Sequence, residues 1–124
     1  MFIIVVDDDS FDRSLITKNL MAVSDSVDVL ALDDPRAAYG TYRDRHPDLT
    51  LLDVNMPELD GFEVLRTIRQ DPDAPGGRVY MLSSSTNISD RERSEELGAD
   101  GYFVKPDSMS GYRELAKTLI SELS

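Results

Sequence analysis

The feature that most constrains this chain is an alternation. Short β-rich apolar runs are followed by longer stretches with helical spacing, and the pattern repeats five times in 124 residues. Phe2–Val6 (FIIVV) is apolar at every position, as in a strand buried on both faces. From about Phe11 to Val23, Phe11, Leu15, Ile16 and Leu20 recur at helical spacing. Val27–Leu32 is the second strand candidate, and Asp34-Pro35 reads as an N-cap followed by proline in the first helical position. The helix it opens runs to about Arg45, with Ala38, Tyr39 and Tyr42 inward.

Leu49–Leu52 gives a third strand, ending on Asp53. A proline-containing loop, Val54–Asp60, leads to Gly61 and a helix to about Gln70, with Phe62, Leu65 and Ile68 on one face. A turn-rich DPDAPGG connector precedes Val79–Leu82, the fourth strand, and the serine-rich loop Ser83–Thr86 follows it. Ser89-x-x-Glu92 matches a capping box, and Gly98 would stop the helix so opened. Tyr102–Val104 is the fifth strand, ending at Lys105-Pro106, and Tyr112–Leu123 is the last helix. Five strand–helix units in this order imply one α/β domain, a doubly wound parallel sheet with helices on both faces and right-handed crossovers. No linker or repeat interrupts it, and the final helix leaves no room for an output domain, so the expectation is one domain over residues 1–124.

Composition narrows the chemistry. There is no cysteine, which removes disulfides, thiol nucleophiles and zinc–thiolate sites, and the lone histidine leaves little scope for a histidine-based catalytic or metal site. That residue, His46, precedes Pro47 in a polar connector and reads as a surface loop residue. Thirteen basic against 24 acidic side chains give a net charge of −11. Such a charge argues against nonspecific nucleic-acid contact and against an anionic membrane surface. The run FIIVV is too short for a signal-peptide core or a span. The expectations are therefore a cytoplasmic protein with no nucleic-acid and no membrane partner.

In an open α/β sheet, ligands bind outside the carboxyl ends of the strands. Strand one ends in Asp7, Asp8 and Asp9, strand three in Asp53 followed by Asn55, strand four in Ser83–Ser85 and strand five in Lys105. Consecutive acids after a strand are commonly turn and cap residues. Adding Asp53 changes the reading, because clustered carboxylates repel, and protonation alone is a poor remedy at neutral pH. A hard divalent cation relieves the repulsion, and Mg²⁺ takes one or two carboxylates directly while keeping several waters. Asp8, Asp53 and a nearby backbone carbonyl would suffice, with Asp7 acting through water. Lys105 is either a salt-bridge partner of these acids or, with the metal, the second positive charge of a phosphoryl-transfer site. A serine hydroxyl such as Ser83 would donate to a phosphoryl oxygen, although three adjacent serines leave the choice open. Asp53 could itself be the covalent acceptor, since carboxylates serve as nucleophiles for phosphorus. Two decoys fail: a calcium loop starting at Asp53 would place Glu58 and Val64 where Gly and Glu are needed, and no P-loop motif is present.

Taken together, VVDDDSFDR, LLDVNMPELDGFEVL, MLSSS and GADGYFVKP resemble the receiver domain of bacterial two-component response regulators, over essentially the whole chain. The resemblance implies a flavodoxin-like (βα)5 fold with strand order 2-1-3-4-5. It implies phosphoryl transfer from a sensor histidine kinase or phosphotransfer protein onto Asp53. Mg²⁺ would be held by Asp7, Asp8, Asp53 and the Asn55 backbone carbonyl, with Asp9 serving helix entry. Lys105 matches the family's lysine, Ser83 its switch hydroxyl and Tyr102 its switch aromatic, and Lys105-Pro106 would be a cis peptide. Asn55 and Ser85 stand where the family tunes phosphoryl-group lifetime. The implied protein is not an enzyme beyond its own phosphorylation and dephosphorylation. It acts on an unidentified downstream protein target, as a monomer or a phosphorylation-dependent dimer. Asp107 departs from the apolar or aromatic residue usual after Lys-Pro. Two other readings stand beside this one: a phosphorylation-independent interaction module on the same fold, and an aspartyl-phosphate phosphatase. The second lacks an acid two residues after Asp53, where Asn55 stands.

Overall fold

The computed structural model describes residues 1–56, 59–74 and 76–123. Pro57 and Glu58 of the third loop, Pro75 of the DPDAPGG connector and the terminal Ser124 lie outside them. The described elements run β1 (Phe2–Val6), α1 (Ser10–Val23), β2 (Asp28–Leu32), a 3₁₀ turn (Pro35–Ala37), α2 (Ala38–Arg45), β3 (Leu49–Asp53), α3 (Gly61–Gln70), β4 (Arg78–Ser83), α4 (Ile88–Glu96), β5 (Gly101–Val104) and α5 (Met109–Leu123). All strand pairs are parallel and the order is β2-β1-β3-β4-β5, as the resemblance implies.

The period of two along each strand divides the core. Ile3 and Val5 of β1, with Leu49 and Leu51 of β3, face a layer made by α1 and α5, including Ile16, Leu20, Ala116 and Leu119. Ile4 and Val6, with Leu52 and Met81, face Ala38, Tyr42, Phe62, Leu65 and Ile68 of α2 and α3. This is why β1 can be apolar throughout: each residue has a helix layer to meet. Tyr39, expected inward, is only half-buried, as is Leu15, and Phe11 in the first turn of α1 is exposed at 69%.

The helix starts follow the polar residues before them. Asp34 accepts from the Arg36 N–H ahead of Pro35, and Asp60 accepts from the Glu63 N–H at the start of α3. The start of α4 corrects the capping-box expectation. Asn87 is the cap, its side chain accepting from the Ser89 N–H, and Ser89 lies inside the helix. An Asn one residue before the helix reaches the orphan N–H groups directly, so Ser89 has none left to serve. Gly98 ends the helix with φ +95°, as expected.

Among the described residues, no helix is long and apolar enough to cross a membrane.

Candidate functional site

Register brings the functional side chains together. Val6 pairs with Leu52, so Asp7 and Asp53 leave neighbouring strands at the same level. Asp53 pairs with Leu82 and Ser83 with Val104, which puts Ser83 one step further along the same rim and Lys105 one step beyond Ser83. Each rim position is then locked. The Asp7 N–H donates to Leu32 O at 3.1 Å, and the Arg13 guanidinium donates to Asp7 O at 2.8 Å. The Lys105 N–H donates to Ser83 O at 2.8 Å. Gly61 opens α3 directly against β3: a Cβ there would collide with the Asp53 carbonyl oxygen. Only glycine lets α3 start that close to the acid it follows.

The carboxylates converge. Asp7 and Asp53 are buried, Asp8 is exposed, and one oxygen of each of the three lies within 4.8 Å of the others. The Lys105 ammonium lies 2.9 Å from Asp7 Oδ2, 3.0 Å from Asp12 Oδ2 and 3.4 Å from Asp53 Oδ1. Above them opens a cavity of about 450 Å³ lined by Asp8, Asp9, Asp12, Asp53, Asn55, Ser84 and Lys105. Burial, followed by the charge of Asp7, pushes Asp53 up to about 7, against the pull of Lys105 and the Asn55 N–H. Burial disfavours the Lys105 charge, yet its hydrogen bonds to Asp7 and Asp12 outweigh that and hold the ammonium well above its ordinary value. The Lys105 ammonium is outnumbered by the carboxylates of Asp7, Asp8, Asp12 and Asp53 around it, which leaves the rim short of positive charge. The donors are all hard oxygens, so the set fits a hard divalent cation such as Mg²⁺ or Mn²⁺.

Asp9 serves helix entry, as expected: it is the N-cap of α1, and its Oδ1 accepts from the Phe11 and Asp12 N–H groups at 2.9 and 3.0 Å. Of the three serines, Ser84 lines the cavity, while Ser83 is buried with its Oγ accepting the Ser85 N–H at 3.0 Å. The buried Tyr102 donates its hydroxyl to Ser85 O at 2.8 Å. Ser83 and Tyr102 therefore grip opposite sides of one residue. The Lys105-Pro106 peptide is trans, which corrects the cis bond implied by the resemblance. Trans is the lower form of an X–Pro bond by about 0.5–1 kcal/mol, and the backbone bond to Ser83 seats Lys105 without a cis turn. His46 is exposed and away from the rim, at the left-handed end of α2.

Sequence reasoning missed Asp12. Its signal was its place in the first turn of α1, three residues after the cap Asp9 and therefore on the same side of the helix, toward the rim.

Comparisons with known proteins agree with this fold. A family model described as the response regulator receiver domain matches residues 3–117. The "Probable transcriptional regulator ycf27" of Porphyridium aerugineum is 37% identical over 86% of this chain and 42% of its own length. The "DNA-binding response regulator MtrA" of Mycobacterium leprae (strain TN) is 34% identical over 84% of this chain and 44% of its own length. The chain thus spans less than half the length of these curated relatives. Among solved structures, the Mn(2+)-bound form of response regulator Rcp1 superposes with a TM-score of 0.83 at 29% identity, covering 97% of this chain and 91% of that one. The phosphorylated cyanobacterial phytochrome response regulator RcpA gives 0.84 at 31% identity, covering 95% and 89%.

One expectation is corrected by these relatives. The charge of −11 argues against a nucleic-acid partner, but the relatives include proteins named as transcriptional and DNA-binding regulators. Net charge reports only the nonspecific attraction of the residues counted. Over a segment that spans 42% of such a relative, it does not exclude a nucleic-acid partner.

Proposed function

The chain belongs to the response regulator receiver domain family of two-component signalling, and on that premise we propose that it is a phosphoacceptor switch in which Asp53 is the phosphorylated residue. The observation that carries this reading is the convergence of Asp7, Asp8 and Asp53 oxygens within 4.8 Å, with the Lys105 ammonium 3.4 Å from Asp53 Oδ1. The phosphodonor is a histidine kinase, a phosphotransfer protein or a small acyl phosphate.

An Asp53 carboxylate oxygen attacks phosphorus in line with the bond that breaks. That bond is P–N in a phosphohistidine, whose electron pair returns to the imidazole, or P–O in an acyl phosphate, whose pair leaves on the carboxylate. Lys105 donates to a phosphoryl oxygen as negative charge builds there. Asp7, Asp8, Asp53 and the Asn55 backbone carbonyl would hold Mg²⁺, which supplies the rest of the charge neutralisation. Burial and the charge of Asp7 hold Asp53 near 7 without a cation, and a cation held by these acids would favour the ionised nucleophile.

The readout runs through Ser85. A phosphoryl group on Asp53 offers the Ser83 hydroxyl a charged acceptor. Ser83 Oγ already accepts from Ser85, and Tyr102 donates to the carbonyl of the same residue, so a shift of Ser83 is felt at Tyr102 and α4. Retention of the full acid and lysine set supports this reading over a phosphorylation-independent module, and Asn55 in place of a second acid disfavours a phosphatase.

Intact mass after incubation with acetyl phosphate and Mg²⁺ tests the proposal. Wild type should gain one phosphoryl group, and Asp53→Asn, still folded, should gain none. Equal labelling of both would remove Asp53 from its role.

A further inference from the structure

The receiver resemblance assigns Lys105 a role but gives it no partner beyond the acid pair and Asp53, whereas the structure supplies one more carboxylate. We propose that Asp12 is a positioning residue that holds the Lys105 ammonium over Asp53 during phosphoryl transfer. The inference rests on the phosphoacceptor reading above.

An ammonium has three donors. The ammonium of Lys105 lies 2.9 Å from Asp7 Oδ2, 3.0 Å from Asp12 Oδ2 and 3.4 Å from Asp53 Oδ1, and it donates a hydrogen bond to Asp12. The two short contacts go to acids that do not react, and the long one goes to the acid that does. The lysine is therefore tethered on one side and free to swing its third donor onto an incoming phosphoryl oxygen. The two tethers are not equivalent. Asp7 belongs to the three-carboxylate cluster that fits a cation, and its lone pairs are drawn away from Lys105 when that cluster is engaged. Asp12 is outside the cluster and keeps its hold.

Asp12 is itself well fixed. It lies half-buried in the first turn of α1, and its backbone N–H is bonded to the cap Asp9. Its carboxylate faces the buried phenol of Tyr112 on α5, which burial and then the Asp12 charge push up to about 12. An anchor braced by two helices limits the travel of a flexible four-carbon side chain. Placement of a catalytic group within about 1 Å matters this much because misplacement of that size costs large factors in rate.

The test is a double-mutant cycle on the rate of acetyl phosphate labelling with Mg²⁺, read by intact mass. Asp12→Ala should slow labelling on the order of tenfold. Asp12→Asn, which keeps an oxygen acceptor of the same shape and guards against a folding defect, should recover part of the loss. Lys105→Ala should be slower than either, and adding Asp12→Ala to it should change nothing further. A merely structural role for Asp12 would alter the melting temperature and leave the rate in folded protein unmoved. The inference is overturned if Asp12→Ala labels at the wild-type rate or faster, or if it slows Lys105→Ala by the factor seen in wild type. Wild type that takes no label defeats the phosphoacceptor reading itself, which separates the two failures.

Discussion

Helices α3 and α4 follow neighbouring strands and start at the same rim, yet they are built differently. α3 buries Gly61, Phe62, Val64, Leu65 and Ile68, whereas α4 buries only Ser94 and leaves Ile88 exposed at 70%. The contacts that hold α4 are mostly polar or cation–π: Arg91 lies 5.1 Å from the Tyr102 ring and Arg93 4.5 Å from the Phe62 ring. Arg69 of α3 donates to Gly98 O and pairs with Asp100 at 2.8 Å. Exposed contacts of these kinds contribute about 0.5–1 kcal/mol each, against about 1.5–3 kcal/mol for each buried aliphatic side chain. The contrast suits a switch. α3 packs five buried residues against the strand that carries Asp53, and α4, with only Ser94 buried, is expected to open at lower cost.

The largest expected effect tests that contrast directly. Ile68→Ala empties a buried site in the α2–α3 layer and should destabilise the domain by about 2–5 kcal/mol. Ile88→Ala should fall within about 0.5 kcal/mol of wild type. Urea unfolding of both variants measures the difference. A cost for Ile88→Ala near that for Ile68→Ala would mean that α4 is packed as firmly as α3, and the division would collapse.

A smaller effect comes from the rim beneath the two helices. Folded Asp53 keeps its proton up to about 7, whereas in the unfolded chain an aspartate loses it near about 3.9. Between those values the folded state binds more protons, so stability falls as pH rises through the window. Lys105 is charged throughout that window in both states and adds no slope. Urea midpoints of metal-free protein from about pH 4 to pH 7 should therefore decline, and Asp53→Asn should remove most of the decline. An unchanged slope in that variant would place the strain of the rim elsewhere. Mg²⁺ should flatten the slope in wild type, because a bound cation favours the ionised acid.

Much of this contrast is legible in the sequence, and the rest fails for local reasons. The all-apolar β1 and the spacing of Phe62, Leu65 and Ile68 announce a two-sided sheet and a firmly packed α3. Strand ends collect Asp7, Asp53, Ser83 and Lys105 by topology alone. Phe11 keeps the helical spacing of its neighbours yet stays exposed, because periodicity does not say where the apolar stripe of a helix stops being covered. Ser89 is misread as a cap because Asn87 competes for the same N–H groups. Asp12 escapes notice because an acid in a first helical turn is ordinarily satisfied by the helix end. Its contact with Lys105, ninety-three residues away in sequence, depends on how the fold brings the start of α1 to the end of β5. The Lys105-Pro106 bond is beyond sequence reading for a different reason: its two forms differ by less than about 1 kcal/mol.

The smallest expected effect sharpens the comparison most, because it acts on the joint between the rim and α4. Tyr102→Phe removes one hydroxyl, and with it the 2.8 Å hydrogen bond to Ser85 O. The global cost should be about 0.5–1.5 kcal/mol, since the ring stays and only one partly buried bond is lost. Its distribution carries the information. Ser85 would remain held by Ser83 Oγ on its N–H side and be freed on its carbonyl side. Hydrogen exchange should therefore speed up from Ser85 through α4, while the amides of α3 exchange as in wild type. Equal acceleration of α3 and α4 would mean that the two helices open as one unit, and that Tyr102 stabilises the whole layer rather than coupling the acid rim to its loosest helix.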